Sequence, residues 1–124
     1  MTVLINVPAE ASYANVLRTT AAAMAARCNL NYDRLEDARL AIDEAFAQII
    51  AFAQSDSHVE CSFQEAPRDL SFVLSCPTLL DTPLPTDSFS WTVLSALADE
   101  LRAVVHDGEL AIHVRVHEPQ EVSV

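Results

Sequence analysis

The stretch DEAFAQIIAFA, residues 43–53, opens with two carboxylates and then runs almost wholly apolar. On a helix turning about 100° per residue, Glu44, Gln48 and Phe52 form one stripe, beside the expected core stripe rather than within it. A carboxylate and an amide at that spacing could address a ligand together, with Glu44 as a general base. They could equally be an exposed pair covering the edge of the core.

Other candidate groups carry less. His113 and His117 share the outer face of the last expected strand, and His58 and Glu60 share that of another. Imidazole and carboxylate are good metal ligands. Side chains four apart on a strand, however, lie roughly 13 Å apart at ~3.3 Å per residue, too far for one ion. These residues read as a solvated sheet face, and no metal site is expected. Cys28, Cys61 and Cys76 are odd in number, widely spaced and without a CxxC pair. That argues against a disulfide framework or zinc and for a reducing, cytoplasmic setting. All three fall on expected core faces, where thiols behave as small hydrophobes. No GxSxG elbow is present. Glycine occurs once, at Gly108, so the chain lacks the bare backbone with which phosphate-cradling loops are made.

The elements that must position these groups follow from periodicity. VLINV (3–7) reads as a strand. Residues 10–28 read as a helix with Tyr13, Leu17, Ala21, Met24 and Cys28 on one stripe, its middle unusually small-sided. A second helix spans about 32–54, with Leu35, Ala38, Ile42, Ala45, Phe46, Ile49 and Ala53 toward the core. HVECSFQ and LSFVLSC alternate cleanly as strands, and Pro67 marks the turn between them. A proline-bearing loop at 76–88 leads to a third helix over about 88–105, with Phe89, Val93, Leu97, Leu101 and Val104 on one side. Gly108 then turns the chain into ELAIHVRVHE. Each strand has one apolar and one polar face, as in a sheet covered by helices on one side only. The expected fold is an α+β two-layer sandwich: a four-stranded, mostly antiparallel sheet under three helices, in the order βααββαβ.

Composition bounds the function. The 124 residues suit one domain, 1–124, and 51% of them are hydrophobic. With 18 acidic against 7 basic residues the net charge is −11, which disfavours direct nucleic-acid binding and suits a partner with a basic surface. The apolar run near the start lacks a basic flank, so no signal peptide is expected, and nothing approaches a membrane span.

The element order, with RLEDARLAIDEAFAQII on the second helix, resembles anti-sigma factors of the RsbW/SpoIIAB type, small members of the GHKL (Bergerat-fold) ATPase superfamily. The likeness covers nearly the whole chain and is stronger in the first half, through VPAEASYANVLRTTAAAMAARCNLNYDRLEDARLAIDEA. SFSWTVLSALADELRAVVHDGELAIHVRV looks most like the UsfX branch, whose partner is a stress-type alternative sigma factor. In this family the second helix carries E-x-x-x-N-x-x-x-H; its Glu is the general base and its Asn holds Mg²⁺ on ATP. The resemblance places Glu44 at the base position, Gln48 at the Asn position and Phe52 at the last. The extra methylene of Gln48 moves the amide oxygen by about one bond, where octahedral Mg²⁺ tolerates little misplacement.

The family's D-x-G-x-G and glycine-rich lid correspond to SCPTLLD and TPLPTDSFSW, which contain no glycine. Asp81, Asp87 and Trp91 stand where phosphates would be received, and the two carboxylates oppose the helix N-terminus. A kinase needs ATP, metal and base positioned together. The resemblance therefore implies a degenerate kinase whose Glu44 is a trace, kept for local capping or pairing, and which uses no cofactor. It implies a homodimer that sequesters an alternative sigma factor and is released by an anti-anti-sigma protein of the STAS type. Tyr13, Asn15 and Arg18, on the first helix, would meet the partner. The alternative is an active, Mg-ATP-dependent serine kinase of that STAS protein.

Overall fold

A computed structural model describes residues 2–119. Strand β1 (Thr2–Pro8) is followed by a 3-10 turn at Ala11–Tyr13 and by helices α1 (Ala14–Arg27) and α2 (Tyr32–Ile50). Strands β2 (His58–Ala66) and β3 (Asp69–Pro77) form a hairpin. Helix α3 (Phe89–Leu97) then leads to β4 (Glu100–His106) and β5 (Glu109–His117). The sheet runs β1-β2-β3-β5-β4, and every neighbouring pair is antiparallel.

Local chemistry accounts for the boundaries. Asn29, at φ 64°, ends α1 in the left-handed region that Asn tolerates, with the Leu30 N–H bonded to the Ala25 carbonyl at 3.1 Å. Asn31 then caps α2, its side-chain oxygen accepting from the Arg34 N–H at 2.9 Å. Ser88 caps α3 in the same way through the Trp91 N–H at 3.1 Å. All three helices lie over one face of the sheet: α1 on β2 and β3, α2 on β3 and β5, and α3 against α2 and β4. The core between the layers holds Phe46, Ile42 and Ile49 of α2 with Phe63, Phe72, Leu74, Ile112 and Val116 of the strands. Phe63 and Phe72 are cross-strand partners with ring centroids 5.9 Å apart.

The two-layer α+β architecture is as expected, with three differences. The sheet has five strands rather than four and is wholly antiparallel, in the order βααββαββ. The third helix stops at Leu97 instead of reaching 105, because ELRAVVH alternates. Leu101, Ala103 and Val105 sit opposite the buried Val114, Ile112 and Leu110, while Val104, expected on a helical core stripe, faces outward. Asp107-Gly108, with φ 51° and 77°, is the left-handed pair that a two-residue hairpin turn demands. The second helix ends at Ile50, four residues short, and Ala53 instead bridges Thr78.

Among the described residues no helix is long and apolar enough to cross a membrane. Cys28, Cys61 and Cys76 are all buried and unpaired. Burial pushes all three thiols up, Cys76 to about 11, so none is a ready nucleophile.

Candidate functional site

Helix α2 is the platform. Its apolar stripe buries Ala38, Ala41, Ile42, Ala45, Phe46 and Ile49, which leaves the adjoining stripe, Glu44 and Gln48, half-buried at the edge of the helix layer. The small-residue run of α1 turns out to serve packing. Ala21 and Ala25 are fully buried where α1 meets α2, so the two helices approach closely.

Glu44 does not stand free. The Ser90 hydroxyl, in the first turn of α3, donates to its Oε2 at 2.7 Å. On the other side of Glu44, the Asp43 carboxylate faces Arg18 Nε of α1 at 3.4 Å. Glu44 also borders a shallow cavity of about 210 Å³ between the start of α1 and α2. Ala11 and Ala14 form one wall; Asp43, Glu44, Ala47 and Ile50 form the other. Gln48, one turn on, does not line it. The structure thus brings Glu44 next to the α1 surface but does not join Gln48 to it.

The three partner-facing candidates divide. Tyr13 and Asn15 are exposed, and Val16 beside them is 41% exposed, so this edge of α1 presents apolar and amide groups to solvent. Arg18 is half-buried and held against Asp43, which makes it a tie between the helices as well as a surface cation.

The segment between β3 and α3 is stitched down. Thr78, 2% exposed, donates its hydroxyl to the Phe52 carbonyl at 2.7 Å and accepts from the Leu80 N–H at 3.1 Å. Its own N–H donates to the Gly108 carbonyl at 2.9 Å. Leu84 is buried in the core, and Leu80 and Trp91 pack against it. Asp81 and Asp87 are exposed. Phe52, at the last position of the motif, also leans on the core. Among the described residues no cluster of three or more His, Cys, Asp or Glu could hold a metal ion.

Ser90 is the residue that sequence reasoning missed. It lies 46 positions from Glu44, and no spacing rule links the two. The Ser88 cap fixes where α3 begins and so aims Ser90, but only the docking of α3 on α2 makes them partners.

Comparison with known proteins places this geometry. Residues 7–118 match the model of the histidine kinase-like ATPase domain. The chain is 34% identical over 106 residues to the anti-sigma-F factor RsbW of Mycobacterium tuberculosis, in both strain CDC 1551 and strain H37Rv. That match covers 84% of this chain and 61% of the relative, so the chain spans less than two thirds of that protein's length. The crystal structure of the RsbU and RsbW domains of Rv1364c from Mycobacterium tuberculosis superposes with a TM-score of 0.74. It covers the whole of this chain and 35% of that one, at 13% identity, a likeness of fold.

Proposed function

The chain belongs to the histidine kinase-like ATPase domain family, and from that premise we propose that it is an anti-sigma factor working by partner exchange without phosphoryl transfer. It sequesters an alternative, stress-type sigma factor as a homodimer and gives it up to an anti-anti-sigma protein of the STAS type. The similarity to anti-sigma-F factor RsbW supports the binding role. The exposed edge of α1, with Tyr13 and Asn15 and with Arg18 behind them, supplies the contact surface.

One observation carries the non-catalytic part of this reading: the Ser90 hydroxyl donates to Glu44 Oε2 at 2.7 Å, which gives the carboxylate a structural partner. A base in that role must reach the proton it removes. Here the oxygen is part of a contact that fastens α3 to α2. Two further features support the reading. The segment 76–91 carries no glycine with which backbone N–H groups could close on phosphates, and Leu84 with the Thr78 bonds draws it into the core. Gln48 stands where the family places a metal-binding Asn, one methylene too long for octahedral Mg²⁺. The residues present do not fit Mg-ATP.

The test separates binding from chemistry. With purified sigma and STAS partners, Glu44→Ala is expected to leave sigma affinity within about twofold, while no label passes from γ-labelled ATP to the STAS protein. Label transfer abolished by Glu44→Ala would establish the kinase instead. Folded Glu44→Ala protein with a large loss of sigma affinity would put Glu44 inside the sigma interface.

A further inference from the structure

The uncovered face of the sheet holds a second, independent site. The chain has seven arginines and no lysine. Among the described residues, Arg18, Arg27, Arg34, Arg39 and Arg115 all lie against carboxylates. Arg68 sits at the tip of the β2–β3 hairpin. Like Arg68, Arg102 has no carboxylate within ion-pair distance among the described residues, but it stands on the outer face of β4 within the sheet rather than at a turn. Its Nη2 instead faces His113 Nδ1 of β5 at 3.5 Å.

The register assembles the surroundings. Val73, His113 and Arg102 lie side by side across β3, β5 and β4, and Ser71, Arg115 and Glu100 form the adjoining row. Together these rows line a cavity of about 410 Å³ on the outer face. Arg115 is already neutralised, bidentate to Asp69 at 2.9 and 2.8 Å and bonded to Glu100 at 3.0 Å. That network leaves Glu100 facing Arg115 and keeps it off Arg102. The concavity therefore presents the Arg102 guanidinium, the His113 imidazole and the Ser71 hydroxyl from three adjacent strands, with the Glu100 carboxylate on the same lining but turned to Arg115.

We infer that this concavity is a binding subsite for a small tetrahedral oxyanion of the phosphate class, held by the Arg102 guanidinium, the His113 imidazole and the Ser71 hydroxyl. Donors on three strands, with Ser71 one row away from the Arg102–His113 pair, approach from different directions and suit oxygens that diverge in three dimensions. A planar carboxylate would be satisfied by the guanidinium fork alone. With Nδ1 turned to Arg102, the tautomer carrying its proton on Nε2 is favoured, which makes that nitrogen a donor. Burial and the Arg102 charge hold the His113 pKa below its ordinary value, and an anion between the two would reverse that shift. The −11 net charge opposes anion approach at long range, but at physiological salt its field is screened beyond ~8 Å.

The experiment is a nuclear magnetic resonance titration of the full chain with inorganic phosphate at pH 7.5 and constant ionic strength, with acetate and chloride as parallel arms. Saturable millimolar shifts are expected at the His113 ring, the Arg102 side chain and the Ser71 amide, from phosphate only. Arg102→Gln, an exposed substitution, should weaken phosphate about tenfold, ~1.4 kcal/mol, with the backbone spectrum otherwise retained. Arg102→Lys, which keeps the charge but loses the fork, should fall between. Equal shifts from acetate would overturn the tetrahedral assignment. Shifts matched by chloride, or unchanged in Arg102→Gln, would overturn the site.

Discussion

Helix α2 and the segment 77–98 face one another, yet they are held in opposite ways. Along α2 the polar side chains of Glu44 and Gln48 stay half-exposed beside a stripe that is fully buried. The facing segment contains no glycine, and Leu80, Leu84 and the Thr78 hydrogen bonds fasten it to the core. The difference is instructive. A helix position survives as long as its side chain can satisfy itself locally, as Glu44 does with Ser90. A phosphate loop depends on bare backbone, and once side chains replace the glycines the hydrophobic effect draws the loop inward.

The contrast can be broken at several points. The largest expected effect is at the buried stripe of α2: Phe46→Ala should lower the unfolding free energy by about 3–5 kcal/mol, read by urea denaturation. If the loop has become core, Leu84→Ala should cost about 2–4 kcal/mol in the same assay. A loss near zero would mean the loop is not a packed element and would reopen the question of a nucleotide cleft. Thr78→Val removes a buried donor and acceptor together; a cost of about 1–3 kcal/mol is expected, with faster amide exchange at Leu80 as the local signature.

Smaller still is the contact between the two regions. Ser90→Ala and Glu44→Ala should each cost ~1 kcal/mol. Their double mutant should cost less than the sum, because both remove one bond; strict additivity would dissociate Glu44 from α3.

The smallest effect is in pH. The folded-state pKa of His113 lies below 6.5, so the unfolded chain binds more protons once pH falls below that value. Stability should therefore be flat with respect to this group above pH 6.5 and decline below it, and His113→Gln should flatten the decline. An unchanged slope in that variant would assign the acid sensitivity elsewhere. Asp69 works in the same direction at lower pH: its hydrogen bonds to Arg115 lower its pKa, and that stabilisation is lost as acid protonates it.

Much of the molecule was legible in the chain. The alternation of β2, β3 and β5 and the α2 stripe express short-range periodicity, which sequence carries directly. The end of α3 was harder. Phe89, Val93, Leu97, Leu101 and Val104 fit a helical period, and ELRAVVH also fits a strand. Asp107-Gly108 between two alternating runs was the available signal for a hairpin, and it decides for the strand.

What the sequence by itself determined is the set of faces: which residues enter the core, which ones a helix or strand leaves outside, and that bare backbone is lacking around residues 76–91. What only the tertiary structure decided is which outside residues meet. Ser90 finds Glu44 because α3 docks on α2, and Arg102 finds His113 because β4 pairs with β5. Periodicity sets direction along one element at a time. A contact between side chains far apart in sequence depends on how two elements dock, and that is settled by the packing of the whole core.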